Sequence, residues 1–419
     1  MNLPQTVRRL RAGGPPFIAA LAFWLLLELG SVVAQPITLL GTQAPGQSGR
    51  IFAPTAVRNP FDPALGDTLL SRWRALKLQT HFGYRFYYND ALPLRLGEHV
   101  ASALHQVHGG FDLGMGSRWL LGYSGTQSFY SHATFRDALD HRITLSGATT
   151  YEEWSLQLTH TYETRSISQV ETGQQTLEES HRMEASVSYA IGSHARADLT
   201  FSPSLRSPEG FPLTREWPVS GWLHYKLSPW LIGSIGARGG FVDIRPGTNL
   251  VYQRPQWRLQ WRPREVLQVE VHGGREEITF YSRPVRKLRS NVFGAMIQAR
   301  LRTGLQLELA QGRHLGISHF SGHVSESTQS RVELRQDLQT HFQLSTGIQH
   351  YRVRYLRDPL GYDDMSSRRD RHRSGFVRLT TLRESATFSL SYQRSLNDSN
   401  ADDFDLVSNQ YGFEAGFQF

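Results

Sequence analysis

The chain ends in QYGFEAGFQF, residues 410–419, and this stretch decides the fold. Successive side chains of an extended strand point to opposite faces. The aromatic residues and Ala415 therefore share one face, while the glutamines, the glycines and Glu414 share the other. One face suits an apolar surrounding and the other suits water. An edge strand of a soluble sheet alternates in the same way, so this stretch fits either a soluble sheet or a membrane barrel.

The spacing of the aromatic residues favours the membrane barrel. Tyr411, Phe413, Phe417 and Phe419 lie on one face, and the sequence stops on the last of them. This arrangement resembles the terminal strand of bacterial outer-membrane barrels. The resemblance implies that these four residues form an assembly signal, and that the assembly machinery of outer-membrane barrels is a partner of the chain.

We expect the same stretch to close the barrel. An unpaired backbone group in lipid costs several kcal/mol, so a barrel in a membrane has to leave no open edge. Pairing of the last strand with the first strand, near Tyr84, closes the cylinder. In that pairing Glu414 faces the same lumen as Arg85.

The N-terminus predicts export. Three arginines among the first residues form a basic region, an apolar run covers residues 17–27, and the small residues Val32 and Ala34 precede a cleavage site. We therefore expect residues 1–34 to be a signal peptide that is cleaved near Ala34. Residues 35–72 contain several prolines without any periodicity, which predicts either a periplasmic tail or a strap inside the lumen.

Composition excludes several classes of protein. The chain has no cysteine, which excludes disulfide scaffolds, thiol catalysis and thiolate metal sites. No apolar run after the signal peptide is long enough to span a bilayer as a helix. The net charge is +8, but basic and acidic residues are mixed throughout, so the chain lacks the basic patches that bind nucleic acid.

Residues 73–419 repeat the alternating pattern of transmembrane β-strands. In the first strand Phe82, Tyr84 and Phe86 alternate with His81 and Arg85. Eight short turns alternate with nine longer polar connections along the chain. The sequence therefore predicts an all-β, antiparallel up-and-down barrel of about 18 strands, or 16, with both termini on the periplasmic side. The alternation is weakest around Pro203 and around Gly273-Gly274.

The rival fold is a soluble sandwich or propeller. In that fold the outer faces are wet, whereas here the apolar faces carry no charge over several consecutive positions. Tryptophan and tyrosine recur toward strand ends, where a barrel in lipid places its aromatic girdles. Both observations favour a bacterial outer membrane as the location, with membrane lipid and lipopolysaccharide as partners.

A barrel of this size leaves an aqueous channel. The alternation predicts the charged residues that line it. They are Arg85, Asp112, Arg182, Glu184, Arg196, Asp198, Arg258, Arg300, Arg302, Glu308, Glu333, Arg335, Arg378 and Glu414. These residues either pair across strands for structural reasons, as Arg182 and Glu184 would with Arg196 and Asp198, or form a screen or track for a polar solute. No predicted loop is long enough to constrict the pore, so we expect it to be open or narrowed by residues 35–72.

The sequence predicts neither an enzyme nor a cofactor or metal site. Histidines are scattered one to a strand, so no catalytic constellation is visible. The arginine-rich segment from Arg368 to Arg373 is expected to be a solvated rim that contacts lipopolysaccharide phosphates.

The overall layout resembles a family. A signal, a short proline-bearing lead, a first strand that runs into Tyr87-Tyr88-Asn89-Asp90, and even hairpins up to a terminal Phe resemble β-barrel porins associated with exopolysaccharide secretion. The resemblance implies a barrel that lets polysaccharide or small solutes cross the outer membrane, with periplasmic export components as partners. It rests on architecture and assigns no site residue. The alternative is a structural or lipid-interacting barrel without transport.

Overall fold

The structure is a computed structural model of the chain. The residues that it describes are 78–95, 97–116, 118–169, 174–281, 285–301, 304–317, 324–339, 341–356, 368–382 and 385–419. The predicted signal peptide, the predicted segment 35–72 and Arg302 lie outside the described residues. The domain bounds predicted at residues 34 and 72 therefore stay predictions.

The described chain is almost entirely β-strand. The segments are β1 (Leu78–Arg95), β2 (Glu98–Met115), β3 (Trp119–Tyr130), β4 (Ala138–Tyr151), β5 (Trp154–Gln169), β6 (Gln174–Ile191), β7 (Ala195–Phe201), β8 (Ser204–Pro208), β9 (Leu213–Ser228), β10 (Leu231–Arg245), β11 (Leu250–Arg264), β12 (Leu267–Phe280), β13 (Arg286–Arg300), β14 (Leu305–Ile317), β15 (Val324–Gln339), β16 (Phe342–Leu356), β17 (Arg369–Leu382), β18 (Ala386–Ser399) and β19 (Leu406–Gln418). No described helix is long and apolar enough to cross a bilayer.

The strands form one closed antiparallel sheet in sequence order. Each strand pairs with its neighbours in the chain, and β1 pairs with β19 to complete the ring. The segments β7 and β8 both pair with β6 and β9, so they are two halves of one barrel strand. The barrel therefore has 18 strands, which confirms the predicted fold and strand number.

The break between β7 and β8 lies at the predicted weak point around Pro203. Proline has no N–H to donate to the ladder. The wall stays continuous there because Ser202 N–H donates to the Pro218 carbonyl at 3.0 Å, and Met183 N–H donates to the Pro203 carbonyl at 2.9 Å. The alternation is also weak around Gly273-Gly274, because the apolar residues of β12 change there from the outer face to the inner face, where Ile278 and Phe280 join a buried cluster. Gly273 and Gly274 lie inside β12 without a register shift.

The seam joins the two ends of the chain as predicted. Tyr84 lies opposite Ala415, and Arg85 lies opposite Glu414. The last rung is formed by Thr80 and Phe419, which exchange backbone hydrogen bonds of 3.1 and 2.9 Å. The final residue of the sequence is therefore part of the closed ladder.

The two faces of the wall differ in chemistry. The outer face carries large exposed apolar residues on nearly every strand, such as Leu390 and Val377. Tyr88, Tyr411 and Tyr392 lie side by side on this face across β1, β19 and β18, which is the position of an interfacial aromatic girdle. The inner face is polar and charged. This contrast is that of an outer-membrane barrel, whose exterior faces lipid and whose lumen faces water.

Short turns join the strands at one end of the barrel, which we call the turn end, and longer connections join them at the other, the loop end. The strands are longer at the loop end than the sequence predicts. Residues 89–98, predicted as a loop, are mostly paired strand in β1 and β2. About 9–11 residues cross a membrane, so the rest of each strand projects beyond the bilayer. There the outer face need not be apolar, and the alternation disappears although the ladder continues.

One hairpin leaves the wall at the loop end. The ladder between β13 and β14 stops at the pair Phe293–Arg313, although β14 continues to Ile317 in register with β15. The rung just before the separation consists of Gly294 and Gly312, and glycine inside a strand often marks a bend. We call residues 313–317 and 324–327 the inner hairpin end.

The inner hairpin end packs inside the barrel. Leu315 and Val324, which continue the lipid-facing side of β14 and β15, join an apolar cluster on the inner face of β10, β11 and β12. The residues of that inner face are Val242, Ile244, Leu250, Tyr252, Ile278 and Phe280. Both faces of the hairpin are buried, because Val324 is 1% exposed and the adjacent Ser325 is 0% exposed. The expectation that no loop of the barrel enters the pore is therefore wrong, since a hairpin of the wall itself folds inward. Narrowing of the pore by residues 35–72 stays a prediction.

Candidate functional site

The charged interior beside the inner hairpin end is the candidate site. Its first group lies on β9, β10 and β11. The Tyr252 hydroxyl donates to Glu216 Oε1 at 2.6 Å, and Arg238 Nη2 lies 3.6 Å from the same oxygen. The Arg238 guanidinium also stacks 5.7 Å from the centre of the Tyr252 ring. Glu216 is therefore held by one hydrogen bond from Tyr252 and by an ion pair with Arg238.

The second group continues round the wall to β12. Arg254 Nη2 donates to Glu276 Oε2 at 2.6 Å, and the side chain of Glu276 is 5% exposed. A carboxylate this deeply buried needs a charged partner, because removing either member leaves an uncompensated charge. Arg254 and Glu276 thus act as one ionic unit.

The third group ties the inner hairpin end to the wall. Arg313 Nη2 donates to Glu326 Oε2 at 2.6 Å and to Ser290 Oγ at 3.2 Å. The Ser290 hydroxyl in turn donates to Glu326 Oε2 at 3.2 Å. Ser290 belongs to β13, which has separated from β14 at this level. The three residues close the gap by a polar contact in place of a backbone ladder.

Together these groups form a charged belt, defined as Glu216, Arg238, Tyr252, Arg254, Glu276, Ser290, Arg313 and Glu326. The belt follows the inner face from β9 to β15. Tyr252 belongs both to the belt and to the apolar cluster, so the two are directly adjacent. The position is the narrowed part of the lumen, where the electric field of paired charges acts on any solute that passes.

A second ionic group lies nearer the turn end. Asp198 accepts from Arg196 at 2.5 Å and contacts His224 Nε2 at 3.0 Å. The other ring nitrogen of His224 lies 2.7 Å from Ser234 Oγ. The wall from β7 to β10 is therefore joined by a continuous chain of polar contacts.

Arg258 and its neighbours extend this group. The Arg258 guanidinium lies 4.6 Å from the centre of the Trp222 ring, and its Nε lies 3.4 Å from Glu270 Oε1. Gln260 donates to Glu270 at 3.1 Å. The indole of Trp222 is thus covered by a cation.

Several of the predicted lining residues meet one another. Besides Arg196 with Asp198, Arg335 lies 3.0 Å from Glu333, and Arg85 Nε lies 2.7 Å from Glu414 Oε1. Arg331, which the sequence analysis did not single out, also contacts Glu333. These pairs leave the structural interpretation open beside the functional one.

The predicted cross-pairing of Arg182 and Glu184 with Arg196 and Asp198 is wrong. The register puts Arg182 opposite Ser204 and puts Asp198 opposite Ser188, so the two pairs lie at different heights on the wall. Asp198 turns to Arg196 and His224 instead.

The remaining predicted residues are placed by the register. Arg300 lies opposite Gln306, and Gln298 donates to Glu308 at 3.2 Å. Arg378 lies opposite Ser345 and Ser391, while Asp112 lies opposite Gly122. All of these residues occupy the alternate strand positions whose side chains face the lumen. Their role in passage of a solute stays a prediction.

The charged belt was missed by the sequence analysis. Arg254 and Glu326 fall in segments that the sequence analysis predicts as polar loops instead of strands. A signal was present, because Arg254 lies four residues before Arg258 and therefore on the same face of one strand. Extending the period-2 pattern through the predicted loops would have found most of the belt.

The arginine-rich segment is not a uniform solvated rim, and this correction concerns Arg368. Its side chain is 1% exposed, and Nη2 lies 2.7 Å from Asp370 Oδ2. The guanidinium stacks on Phe404 at 3.3 Å, and Ser399 donates to Asp370 Oδ1 at 2.8 Å. Residues from 369 onward are strand β17, whose alternation turns one set of side chains inward and the other outward.

No family model matches the chain, and no curated protein is similar to it. Among the described residues no three His, Asp or Glu side chains converge as a metal site. Solved structures that are similar at low identity include the following three. The crystal structure of Pseudomonas aeruginosa OpdK with vanillate is 10% identical with a TM-score of 0.47, over 82% of this chain and 98% of that chain. Pseudomonas aeruginosa OccK2 (OpdF) in complex with glucuronate shows the same 10%, 0.47, 82% and 98%. Acinetobacter baumannii OccAB4 is 9% identical with a TM-score of 0.46, over 82% and 98%. These values concern overall shape and say nothing about a solute of this chain.

Proposed function

We propose that this chain is a channel of the bacterial outer membrane for small polar or charged solutes. The observation that carries the proposal is the inner hairpin end, which folds into the lumen and is held to the neighbouring wall by Arg313, Glu326 and Ser290 of the charged belt. A barrel of 18 strands is wide enough for an aqueous lumen. An element folded into that lumen reduces the pore to a width that selects by size.

The chemistry of the belt favours ionic and strongly polar solutes. Arg and Glu of the belt form ion pairs along this wall, so each charge is held by a partner on the protein. A carboxylate of the solute can take the place of a belt glutamate beside its arginine. An ammonium group can likewise take the place of an arginine beside its glutamate, so the remaining charge of the pair keeps a counter-charge. An apolar solute gains no such contact and would have to cross a polar wall.

Passage of polysaccharide, which the family resemblance implies, is the second candidate. A sugar polymer is recognised by hydrogen bonds and by stacking on open aromatic faces. The polar inner wall offers the hydrogen bonds, but Trp222 is covered by Arg258 and the inner hairpin end narrows the route. We therefore rank a polymer conduit below a channel for small solutes.

Planar-bilayer recording of the purified full chain tests the proposal. The channel should give stepwise conductance, and Arg313→Gln combined with Ser290→Ala should raise the single-channel conductance by releasing the inner hairpin end. Arg289→Gln on the outer face is the matched control and should leave conductance unchanged. An absence of conductance above background would favour a structural or lipid-interacting barrel. Loss of surface polymer on gene deletion, with normal uptake of small solutes, would favour export of polysaccharide.

A further inference from the structure

The outer face of β16 and β17 carries five arginines near the loop end. Arg352 lies directly opposite Arg371, Arg354 lies directly opposite Arg369, and Arg373 lies opposite His350. We call Arg352, Arg354, Arg369, Arg371 and Arg373 the arginine patch. Its side chains have the parity opposite to the buried Tyr351, Val353 and Asp370, so they point away from the barrel interior.

Among the described residues, few acidic side chains neutralise the arginine patch. Asp398, which is 62% exposed, lies opposite Arg371 and 3.9 Å from Arg373. Glu326 lies opposite Arg354, but it forms its ion pair with Arg313. Like charges directly opposite each other destabilise a sheet. Two such arginine pairs in succession therefore cost stability unless an anion lies between them.

Another region of the outer face neutralises two cations with one carboxylate of the protein. On β12 and β13, Lys287 Nζ lies 3.0 Å from Glu277 Oε1, and Arg289 Nε lies 2.6 Å from Glu277 Oε2. There the protein supplies its own carboxylate for two cations. Among the described residues, no carboxylate forms two ion pairs of this kind with the facing arginines of the patch.

The height of the patch identifies the kind of anion. On β17 the outward side chain of Val377 is level with Tyr392 of the aromatic girdle. Arg373 lies four residues nearer the loop end and Arg369 eight. At about 3.3 Å per residue and a strand tilt of about 40°, the patch extends from about 10 to about 20 Å above the girdle. The polar layer of a phospholipid leaflet is only about 5–8 Å deep.

We propose that the arginine patch binds the phosphate groups of lipopolysaccharide in the outer leaflet. A phosphorylated sugar headgroup is tall enough to reach all five arginines, which a phospholipid is not. Guanidinium groups bind phosphate oxygens through paired, charge-assisted hydrogen bonds, and an anion between facing arginines removes their repulsion. The apolar residues next to the patch on the same strands, such as Val377 and Leu379, face the acyl chains of the same lipid.

Titration of the purified full chain with lipopolysaccharide, followed by the rise in unfolding temperature or by native mass spectrometry, tests the proposal. Arg371→Gln should weaken binding about fivefold, and the double variant Arg352→Gln, Arg371→Gln should weaken it more. Asp398→Asn removes the nearby negative charge and should strengthen binding. Lys287→Gln with Arg289→Gln is the control and should leave binding unchanged. Heat-dependent gel mobility verifies that each variant is folded.

Three probes separate the source of the phosphate. Dephosphorylated lipopolysaccharide should bind to the wild type as weakly as intact lipopolysaccharide binds to the double variant. Phosphatidylglycerol vesicles and a soluble acidic polysaccharide should not distinguish wild type from the double variant. Equal binding of lipopolysaccharide by wild type and double variant would overturn the proposal, and so would a patch-dependent preference for phosphatidylglycerol or the polysaccharide. These measurements do not depend on conductance. Failure of the proposed lipopolysaccharide site can therefore be distinguished from failure of the proposed channel function.

Discussion

Arg85 in the first strand and Glu414 in the last strand lie directly opposite each other across the seam, with Nε of Arg85 2.7 Å from Oε1 of Glu414. Both side chains are partly exposed to the lumen, so water screens the attraction. We expect a double-mutant cycle of Arg85→Gln and Glu414→Gln to give a coupling free energy of about 0.5–1 kcal/mol for unfolding. A coupling several times larger would mean that this pair, rather than the backbone ladder, holds the seam together.

Removal of the terminal Phe419 should reduce assembly more than transport. The side chain is 76% exposed, while its backbone forms the last rung with Thr80. We expect several-fold less folded barrel in the outer membrane after deletion, with unchanged single-channel conductance of the barrels that do fold. Phe419→Ala keeps the rung and tests the aromatic ring alone. Leu390→Ala, on the lipid face away from the terminus, is the control, and equal loss in that variant would contradict an assembly signal.

The buried pair Arg368–Asp370 should be sensitive to the loss of one partner. Asp370→Asn leaves the guanidinium of Arg368 without its counter-charge, and we expect the free energy of unfolding to fall by about 3–5 kcal/mol. Replacing both residues together by Met and Leu should cost much less, because no charge is then buried. Arg369→Gln, one residue away on the outer face, should not destabilise the barrel, because it removes one member of the facing pair Arg354–Arg369. Chemical denaturation of the refolded barrel measures all three.

The Glu276→Gln substitution should change ion selectivity. It removes a carboxylate from the charged belt and leaves the charge of Arg254 exposed to the pore. We expect the reversal potential in a salt gradient to shift toward preference for anions. Glu277→Gln is an adjacent control, because Glu277 faces outward to Lys287 and Arg289. A similar shift in both variants would show that the belt is not the selective part of the pore.

At the loop end of the barrel, an exposed ion pair joins two of the connections between strands. The pH dependence of this ion pair can be predicted. Arg136 in the connection between β3 and β4 binds both carboxylate oxygens of Glu209, in the connection between β8 and β9, at 3.2 and 2.5 Å. This contact lowers the pKa of Glu209 below its usual value. The pair therefore contributes fully above the unfolded-state pKa of Glu209 and is lost as the pH falls through the lower, folded pKa. NMR titration of the Glu209 carboxyl should show a higher pKa in Arg136→Gln.

Much of the wall could be predicted from the sequence. Where a strand crosses lipid, one face has to be apolar, and the alternation around Tyr84 or Tyr411 reports the fold directly. The number of strands follows from counting such segments. The seam was predictable too, because a closed barrel with consecutive hairpins has only one pair of strands left to join.

The inner hairpin end could not be predicted in this way. Leu315 continues the lipid-facing pattern of β14, and this pattern alone does not distinguish lipid from the apolar cluster on the inner face of β10, β11 and β12. The partners of that cluster, such as Val242 and Phe280, are distant in sequence. These side-chain contacts between non-neighbouring strands form only because β14 bends after Gly312, and that bend is a property of the folded barrel.

The seam also has a consequence for the order of folding. Every other pairing in the barrel joins strands that are neighbours in the chain, whereas Arg85 and Glu414 are 329 residues apart. Two hydrogen bonds of 2.7 Å from Asn409 to Asp90 also join residues that are 319 positions apart in the sequence. Hairpins form quickly because their loops are short, while the ends of a long chain meet only at a large entropic cost. We therefore expect closure of the barrel to be a late, non-local event, because β19 is synthesised after all the other described strands.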